Sequence, residues 1–130
     1  MPLSPAISII IPTLNRYEDL ANTLLDLQRQ SRQDFEILVI DQSVEAQEIH
    51  WPDDRLRYLQ LEEPSASAAR NLGIQEARAD VLLFMDDDVI IEDVRFLNNH
   101  LRHYLNPEIP GVVGCALELQ QNIRYHRHWM

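Results

Sequence analysis

The 130-residue sequence predicts an α/β fold in which a mostly parallel sheet carries helices on both faces. Short, almost continuously apolar segments are typical of strands that are buried on both sides. They alternate with segments in which apolar residues recur at helical spacing. The predicted order is strand, helix, strand, loop, strand, helix, strand, helix, strand. We place one domain at residues 1–119, and residues 120–130 form a polar tail that the pattern leaves unassigned.

The first strand and the first helix have clear signals at both ends. Ala6–Ile11 is apolar and rich in β-branched residues, and Pro12 is predicted to end it. Leucine and alanine residues then recur at helical spacing and predict a helix over Tyr17–Gln28. Asn15 and Glu18, three residues apart, are predicted to form a capping box at the start of this helix.

Two further strands follow, separated by a polar loop. Phe35–Ile40 is almost wholly apolar and ends at Asp41, so it is predicted to be a buried strand. Gln42–Asp54 is polar and is predicted to be a loop. Arg57–Leu61 alternates polar and apolar residues, which is typical of a strand nearer the edge of a sheet.

The second half of the chain continues the alternation. Gly73 lies inside a predicted helix, where glycine costs about 1 kcal/mol relative to alanine, so close packing is expected there. The predicted elements are a helix opened by Pro64 and Ser65 and continuing to Ala77, a strand at Val81–Met85, a helix at Phe96–Tyr104 and a strand at Gly111–Leu119.

The composition excludes some classes of function and favours others. The formal net charge is −10, and no basic stripe is present, so the chain is not expected to bind nucleic acid. An acidic protein also repels small anions unless a bound cation reverses the local charge. The apolar run Ile7–Ile11 is too short to span a membrane, and no basic leader precedes it. We expect a cytoplasmic protein without a transmembrane segment, with a peripheral membrane position as the alternative.

Polar residues follow three of the predicted strands. Thr13 and Asn15 follow the first, Asp41 follows the second, and an acidic triplet at 86–88 follows the strand at Val81–Met85. Ligands of open α/β sheets bind beyond the carboxyl ends of the strands. We therefore expect all of these residues at one rim of the sheet.

The acidic triplet is the strongest single signal for chemistry. Two like charges about 4 Å apart repel by roughly 1 kcal/mol in water and roughly 4 kcal/mol at an effective dielectric constant of 20. On an extended segment Asp86 and Asp88 point to one side and Asp87 to the other, so the outer two can share a ligand. Carboxylate oxygens suit Mg²⁺ or Mn²⁺. The structural alternative is a solvated acidic turn.

Four segments, in this order, resemble the family 2 glycosyltransferases of the GT-A fold. They cover about Ile7 to Val89, which would make the domain the N-terminal, nucleotide-sugar-binding half of that fold. The four segments are Ile9–Arg16 (IIIPTLNR), Phe35–Asp41 (FEILVID), Ala69–Ile74 (ARNLGI) and Phe84–Asp88 (FMDDD).

The resemblance implies a UDP-type nucleotide sugar as donor and Mn²⁺ or Mg²⁺ as cofactor. Asp41 would accept a hydrogen bond from the base, and Arg70 would lie near the base or the diphosphate. Asp86 and Asp88 would ligate the metal, which would bridge the two phosphates and stabilise the departing nucleoside diphosphate. The implied nucleotide-binding residues are Pro12, Thr13, Asn15, Arg16, Asp41, Arg70, Asp86 and Asp87.

Several of these residues also have a purely structural interpretation. Thr13 and Asn15 would then only cap a helix, and Asp41 would cap a loop. Arg70 would pair with a surface glutamate, and such pairs contribute little. The glutamates available to Arg70 are Glu63 and Glu76.

The chain departs from the family pattern in two places. Gln42 and Ser43 follow Asp41, where the family commonly has an acidic residue or Asn and then Gly-Ser. Nothing matches the later acidic residue that serves inverting members as general base, because Glu108 and Glu118 do not correspond in position. We therefore assign no catalytic residue.

The remaining candidate residues have ordinary structural interpretations. Two histidine pairs have conceivable metal spacing but no further ligands, so we interpret them as surface residues; they are His100 with His103, and His126 with His128. Cys115 is the only cysteine, so no internal disulfide can form, and it is predicted to be a small buried hydrophobic residue. Tyr125 and Trp129 are predicted to cover a sheet edge or to contact a partner.

The predicted function is therefore a glycosyltransferase, or its donor-binding module, that transfers a sugar to an unknown acceptor. One alternative is a catalytically silent module that binds only the nucleotide and the metal. Another is a different Asp-rich α/β domain, such as a nucleotidyltransferase or a phospho-acceptor domain. A nucleotidyltransferase of related shape would begin with a Gly-rich loop, and none of the three glycines lies near the first strand. An incomplete sheet also predicts self-association into a homo-oligomer.

Overall fold

The computed structural model describes residues 4–62, 65–120 and 123–128, and its main element is a four-stranded parallel sheet in the order β3-β2-β1-β4. The strands of this sheet are β1 (Ile7–Thr13), β2 (Phe35–Asp41), β3 (Leu56–Gln60) and β4 (Val81–Phe84). The helices are α1 (Tyr17–Gln28), α2 (Ala66–Glu76) and α3 (Phe96–Leu101), which continues into a 3₁₀ turn at Arg102–Leu105. A separate antiparallel pair consists of β5 (Cys115–Gln120) and β6 (Ile123–His128).

Helices cover both faces of the parallel sheet, as the sequence predicts. Side chains of a strand point alternately to opposite faces. On β1, Ile9 and Ile11 therefore pack with Leu20 and Leu24 of α1 on one face. The intervening Ile10 packs on the other face in a second core, whose other buried members are Leu38, Ile40 and Ala69. The predicted fold class is confirmed.

Pro12 does not end β1, contrary to the prediction, because β1 continues to Thr13. The pairing of β1 with β4 stops where Ile10 pairs with Phe84. The carbonyl of Thr13 accepts from the N–H of Gln42 on the β2 side, so an N–H at position 12 would point to the side where β4 has already ended. A proline is tolerated there because no hydrogen bond is lost.

The predicted capping box at the start of α1 is wrong. The residue at the N-cap position is Arg16, and no side-chain cap is present there among the described residues. Asn15 instead adopts a left-handed backbone with φ of 55°, and its N–H donates to Oγ of Ser43 at 2.7 Å. Asn is one of the few residues that adopt this conformation readily, so the turn uses Asn15 for its backbone.

The C-terminal part of the chain differs most from the prediction. The segment predicted at Gly111–Leu119 forms a strand at Cys115–Gln120 that stands outside the parallel sheet. Its partner is β6, within the tail that the pattern left unassigned. Only two residues separate these strands, and so short a connection permits antiparallel pairing but not the crossover that a parallel strand requires.

A few predictions lie outside what the structure describes. Glu63, Pro64 and Trp129 fall in the gaps between the described ranges. The side-chain surroundings of Cys115 and Tyr125 also lie outside the described part of the chain.

Gly73 packs directly against Ile10 of the sheet, and this contact can be tested by substitution. A Cβ at this position would lie 3.0 Å from Cγ1 and Cδ1 of Ile10 and closer still to Cγ2, and Ile10 is fully buried. Overpacking costs about 1–3 kcal/mol, whereas alanine gains about 1 kcal/mol in helix propensity. Because the closest contact is with a fully buried side chain, we expect Gly73→Ala to lower the free energy of unfolding by up to about 2 kcal/mol in urea titrations.

Gly111→Ala is the matched control, because a Cβ at Gly111 has no described atom within 4 Å. We expect it to change the free energy of unfolding by less than about 0.5 kcal/mol. Equal effects of the two substitutions would contradict the role of close packing at Gly73.

Candidate functional site

Thr13, the last residue of β1, joins two polar segments at the carboxyl rim of the sheet. It pairs in register with Asp41 at the end of β2, and its carbonyl accepts from the N–H of Gln42 at 2.9 Å. Its hydroxyl donates to Oδ2 of Asp87 at 2.8 Å. Thr13 is only 2% exposed. The ends of β1 and β2 and the loop after β4 therefore lie side by side at one rim, with Thr13 between the other two.

The acidic loop after β4 presents two carboxylates to solvent and one to the protein. Asp86 and Asp88 are exposed, whereas Asp87 is only 7% exposed. Burial raises the pKa of Asp87, and the hydrogen bond from Thr13 and the charge of Arg16 offset this only in part. Asp87 is thus held by the protein, and the two flanking carboxylates face solvent.

Polar side chains on α1 and just beyond its end hold the segment that follows the acidic loop. Thr23 and Asp26 lie three residues apart on one side of α1, and Gln30 lies two residues past the end of the helix. The hydrogen bonds run from Thr23 to the carbonyls of Asp87 (3.0 Å) and Val89 (2.9 Å), from the amide of Ile91 to Asp26 (2.9 Å), from Gln30 to the carbonyl of Asp93 (2.9 Å), and from the amide of Leu97 to Gln30 (3.0 Å). The acidic loop is therefore fixed from α1 as well as from β1.

Arg16 places a positive charge on the acidic loop. Its Nη1 lies 2.9 Å from Oδ2 of Asp88 and 3.7 Å from Oδ1 of Asp87. Both side chains of the shorter pair are about half exposed, at 54% for Arg16 and 47% for Asp88. The interaction is thus an ion pair open to solvent.

Asp41 is fully buried and accepts several hydrogen bonds. Oδ2 accepts from the hydroxyl of Tyr17 at 3.1 Å and from the hydroxyl of Tyr58, and Oδ1 accepts from the N–H of Ser43 at 2.9 Å. Burial alone would raise the pKa of Asp41, but these hydrogen bonds outweigh it and lower the pKa. Burial, together with the bond to Asp41, raises the pKa of Tyr58 to about 12. Asp41 is therefore a charged acceptor at neutral pH, and the predicted loop-capping role is present in its bond to Ser43.

The other predicted site residues vary in their position. Pro12 is half buried in β1, and Asn15 is exposed in the turn that follows. Arg70 is exposed on α2 and makes no hydrogen bond or ion pair with another described residue. Glu76, one of its predicted partners, instead lies 3.5 Å from Arg57. The structure thus brings Thr13, Arg16, Asp41 and the acidic loop together, and Arg70 has no hydrogen-bond or ion-pair partner within residues 4–62 and 65–114.

Three residues of the site were not identified from the sequence. Tyr17 and Tyr58 bind Asp41 from α1 and β3, and nothing in the local pattern marks them. The register between β2 and β3 would have identified Tyr58. This residue pairs with Val39, which lies on the same face of β2 as Asp41. Thr23 did carry a signal, since it is a polar residue on the buried side of α1.

The two histidines near the end of α3, His100 in the helix and His103 in the 3₁₀ turn after it, have different surroundings. His100 is half buried and packs edge-on against Phe96 with ring centroids 4.6 Å apart, so it is not the surface residue that was predicted. Burial, and then the charge of His103, lowers the pKa of His100. His103 is exposed. Among the side chains that the structure describes, which end at residue 114, no three His, Cys, Asp or Glu are grouped to hold an ion.

The helices in the described part of the chain are all too short or too polar to cross a membrane.

Comparison with known proteins gives a family match over most of the chain. The model of glycosyl transferase family 2 matches residues 8–128. An O-antigen biosynthesis protein, RfbC of Myxococcus xanthus, is 31% identical over 95% of this chain. An uncharacterized glycosyltransferase of Haemophilus influenzae is 31% identical over 90% of the chain. A GalNAc(5)-diNAcBac-PP-undecaprenol β-1,3-glucosyltransferase of Campylobacter jejuni is 30% identical over 65% of it.

A solved structure shares the fold. The crystal structure of S. aureus TarS, residues 1–349, superposes with a TM-score of 0.58 over 72% of this chain at 24% identity. The chain spans only part of each of these proteins. The covered shares are 10% of the Myxococcus protein, 30% of the Campylobacter protein, 51% of the Haemophilus protein and 30% of the TarS chain.

Proposed function

This chain belongs to glycosyl transferase family 2, and from that premise we propose that it carries the donor site of a glycosyltransferase. The proposed donor is a UDP-type nucleotide sugar bound with Mn²⁺ or Mg²⁺. The sugar would pass to an acceptor bound elsewhere in the complete enzyme.

One observation supports the proposal more than any other. Thr13 contacts the segment of Asp41 through its backbone and the acidic loop through its hydroxyl. A nucleotide sugar has a base at one end and a diphosphate at the other. A charged acceptor at the end of β2 and an acidic loop after β4, on either side of β1, match those two ends.

The side chains of the acidic loop fit a divalent ion that a ligand completes. Asp86 and Asp88 offer hard oxygen atoms in solvent, and Mg²⁺ is usually bound by one or two carboxylates together with substrate phosphates. A bound ion would neutralise the diphosphate and stabilise it as it departs. The need for a cation is strong here, because the chain carries a formal net charge of −10 and would otherwise repel the diphosphate.

The chain's own contribution is to hold these groups before the donor arrives. Asp87 anchors the acidic loop to Thr13, and Thr23 holds the loop's carbonyls from α1. Catalytic groups that are already in place need no rearrangement at the moment of reaction. In this proposal Asp87 is a positioning residue and does not contact the donor.

Tyr17 controls access to Asp41. Its single hydroxyl hydrogen lies within reach of Oδ2 of Asp41 at 3.1 Å and of the carbonyl of Glu45 at 2.7 Å. Because Asp41 is fully buried, a base reaches it only if Tyr17, which is half exposed, turns aside. A cavity of about 260 Å³ borders Tyr17, with Ala21, Leu25 and Ile49 in its wall, and gives the ring room to move.

This arrangement predicts that Tyr17→Phe tightens nucleotide binding. The base N–H then no longer competes with the phenol for Asp41, and an ordinary hydrogen bond is worth about 0.5–1.5 kcal/mol. We expect the Kd for UDP to fall by about two- to ten-fold in calorimetric titrations. Tyr104→Phe, which removes a hydroxyl from the 3₁₀ turn after α3, should leave the Kd unchanged. Weaker binding by Tyr17→Phe would show that the base uses the phenol.

Calorimetric titration of the protein with UDP, with and without Mn²⁺, tests the proposed function. We expect binding that requires Mn²⁺ and that favours UDP over CDP and ADP. CDP lacks the ring N–H that a charged acceptor such as Asp41 would bind. Absence of UDP binding at saturating Mn²⁺ would refute the donor site.

A further inference from the structure

Arg16 occupies the position at which a metal ion would neutralise Asp88. Its guanidinium nitrogen lies 2.9 Å from one carboxylate oxygen of Asp88 and 3.7 Å from one of Asp87. The chain thus supplies a cation to its own acidic loop. Without this cation the three adjacent carboxylates would repel one another.

A guanidinium and a divalent ion on the carboxylate of Asp88 compete with each other. Both are cations, and on one carboxylate they are close enough to repel each other. Binding of the ion is therefore expected to displace Arg16. The released guanidinium stays at the rim, because the backbone of Asn15 before it is fixed to Ser43 and Tyr17 after it begins α1.

We propose that Arg16 acts as a placeholder: it neutralises Asp88 in the ligand-free protein and turns to the diphosphate of the donor once a divalent ion takes Asp88. The proposal rests on the donor site proposed above. Arg16 is then a competitor of the metal and a partner of the nucleotide, two roles with opposite signs.

The side chain of Arg16 is suited to this exchange. It is 54% exposed, and its described contacts are only with the acidic loop, so it can leave without opening the core. Exposed ion pairs are weak, whereas a guanidinium binds phosphate oxygens through two parallel hydrogen bonds. When Arg16 gives up Asp88 and binds the diphosphate instead, it therefore stabilises the nucleotide complex.

Arg16→Met separates the two roles in two binding measurements on the 130-residue chain. We expect the Kd for Mn²⁺ alone, measured from the electron paramagnetic resonance signal of free Mn²⁺, to fall by about two- to five-fold, the value of an exposed ion pair. We expect the Kd for UDP at saturating Mn²⁺ to rise by about ten-fold or more, because a hydrogen bond to a charged group is lost.

Two further variants show whether position or charge causes these changes. Arg29→Met removes the same charge from the far end of α1, where Arg29 lies 3.6 Å from Asp26, and should leave both constants as in the wild type. Arg16→Lys keeps the charge and should leave the Mn²⁺ constant near the wild-type value. Circular dichroism of each variant establishes that it is folded.

The outcomes separate the two proposals. If the wild type binds neither Mn²⁺ nor UDP, the donor site itself is refuted. If the wild type binds both, and Arg16→Met binds Mn²⁺ no more tightly than Arg29→Met, the placeholder role is refuted and the donor site stands. Equal tightening by Arg16→Lys and Arg16→Met would also refute it, because competition by charge would then not be the cause.

Discussion

Replacing Asp88 with alanine is expected to weaken Mn²⁺-dependent binding of UDP by about 100-fold or more. Loss of a group that only supports a metal ligand already costs about 10–100-fold in affinity, and Asp88 is proposed to be a ligand itself. Its carboxylate is exposed and, among the described residues, pairs only with Arg16. The substitution should therefore leave the fold intact, and titration of UDP at fixed Mn²⁺ measures the loss.

Asp80→Ala is the matched control for this experiment. Asp80 is also an exposed aspartate and directly precedes β4, so it lies at the opposite end of the strand from the acidic loop. Both substitutions remove one negative charge. If Asp80→Ala and Asp88→Ala bind UDP equally well, the acidic loop is not the metal site.

Replacing Glu36 with alanine is expected to have the largest effect on stability. Glu36 is 5% exposed in β2 and accepts hydrogen bonds from Ser8 at 2.5 Å, from the N–H of Arg78 at 2.7 Å and from Arg57 at 3.0 Å. Removal of one partner from a buried ion pair costs about 3–5 kcal/mol. We expect the free energy of unfolding in urea to fall by that amount. The free energy of unfolding of Glu36→Gln, which keeps an acceptor oxygen, should fall by less.

Glu76→Ala provides the comparison, because Glu76 pairs with the same arginine from an exposed position. Its carboxylate lies 3.5 Å from Arg57 and is 44% exposed. Exposed pairs contribute about 0–1 kcal/mol, so the loss should not exceed that range. Equal losses in the Glu36 and Glu76 variants would mean that burial of the pair is unimportant.

The same cluster predicts how stability depends on pH. Burial alone would raise the pKa of Glu36, but the hydrogen bonds from Ser8, Arg78 and Arg57 outweigh it and hold the pKa below its ordinary value of 4.5. A carboxylate whose pKa is lowered on folding stabilises the native state above the unfolded pKa, and this contribution is lost as the pH falls through the folded pKa. Wild type should therefore lose its advantage over Glu36→Gln as the pH falls below about 4.5.

Much of the sheet could be predicted because its signals are local. Helix α1 has the predicted bounds, and Asp41 ends β2 as predicted. The meeting of β1, β2 and β4 at one rim follows from the parallel order, because parallel strands bring their carboxyl ends to the same edge. These features need only the apolar pattern and the topology of the chain.

The features that were missed depend on contacts between distant residues. The pairing of Asp41 with Tyr17 and Tyr58 requires the register of β3 and the rotation of α1, and neither is encoded in a short segment. The pairing of Arg16 with Asp88 joins residues 72 positions apart. The pairing of β5 with β6 was missed because β6 is polar, with two arginines and two histidines, and lacks the apolar pattern that marks a buried strand.

Helix α1 links the two ends of the proposed donor site mechanically. It begins with Tyr17, which binds Asp41, and it holds the acidic loop through Thr23, about 1.7 turns later. A rigid helix cannot shift at one end without moving the other, so the base end and the phosphate end are not thermodynamically independent. Substitutions at the two ends should therefore combine non-additively, although no direct contact between Asp41 and Asp88 is needed.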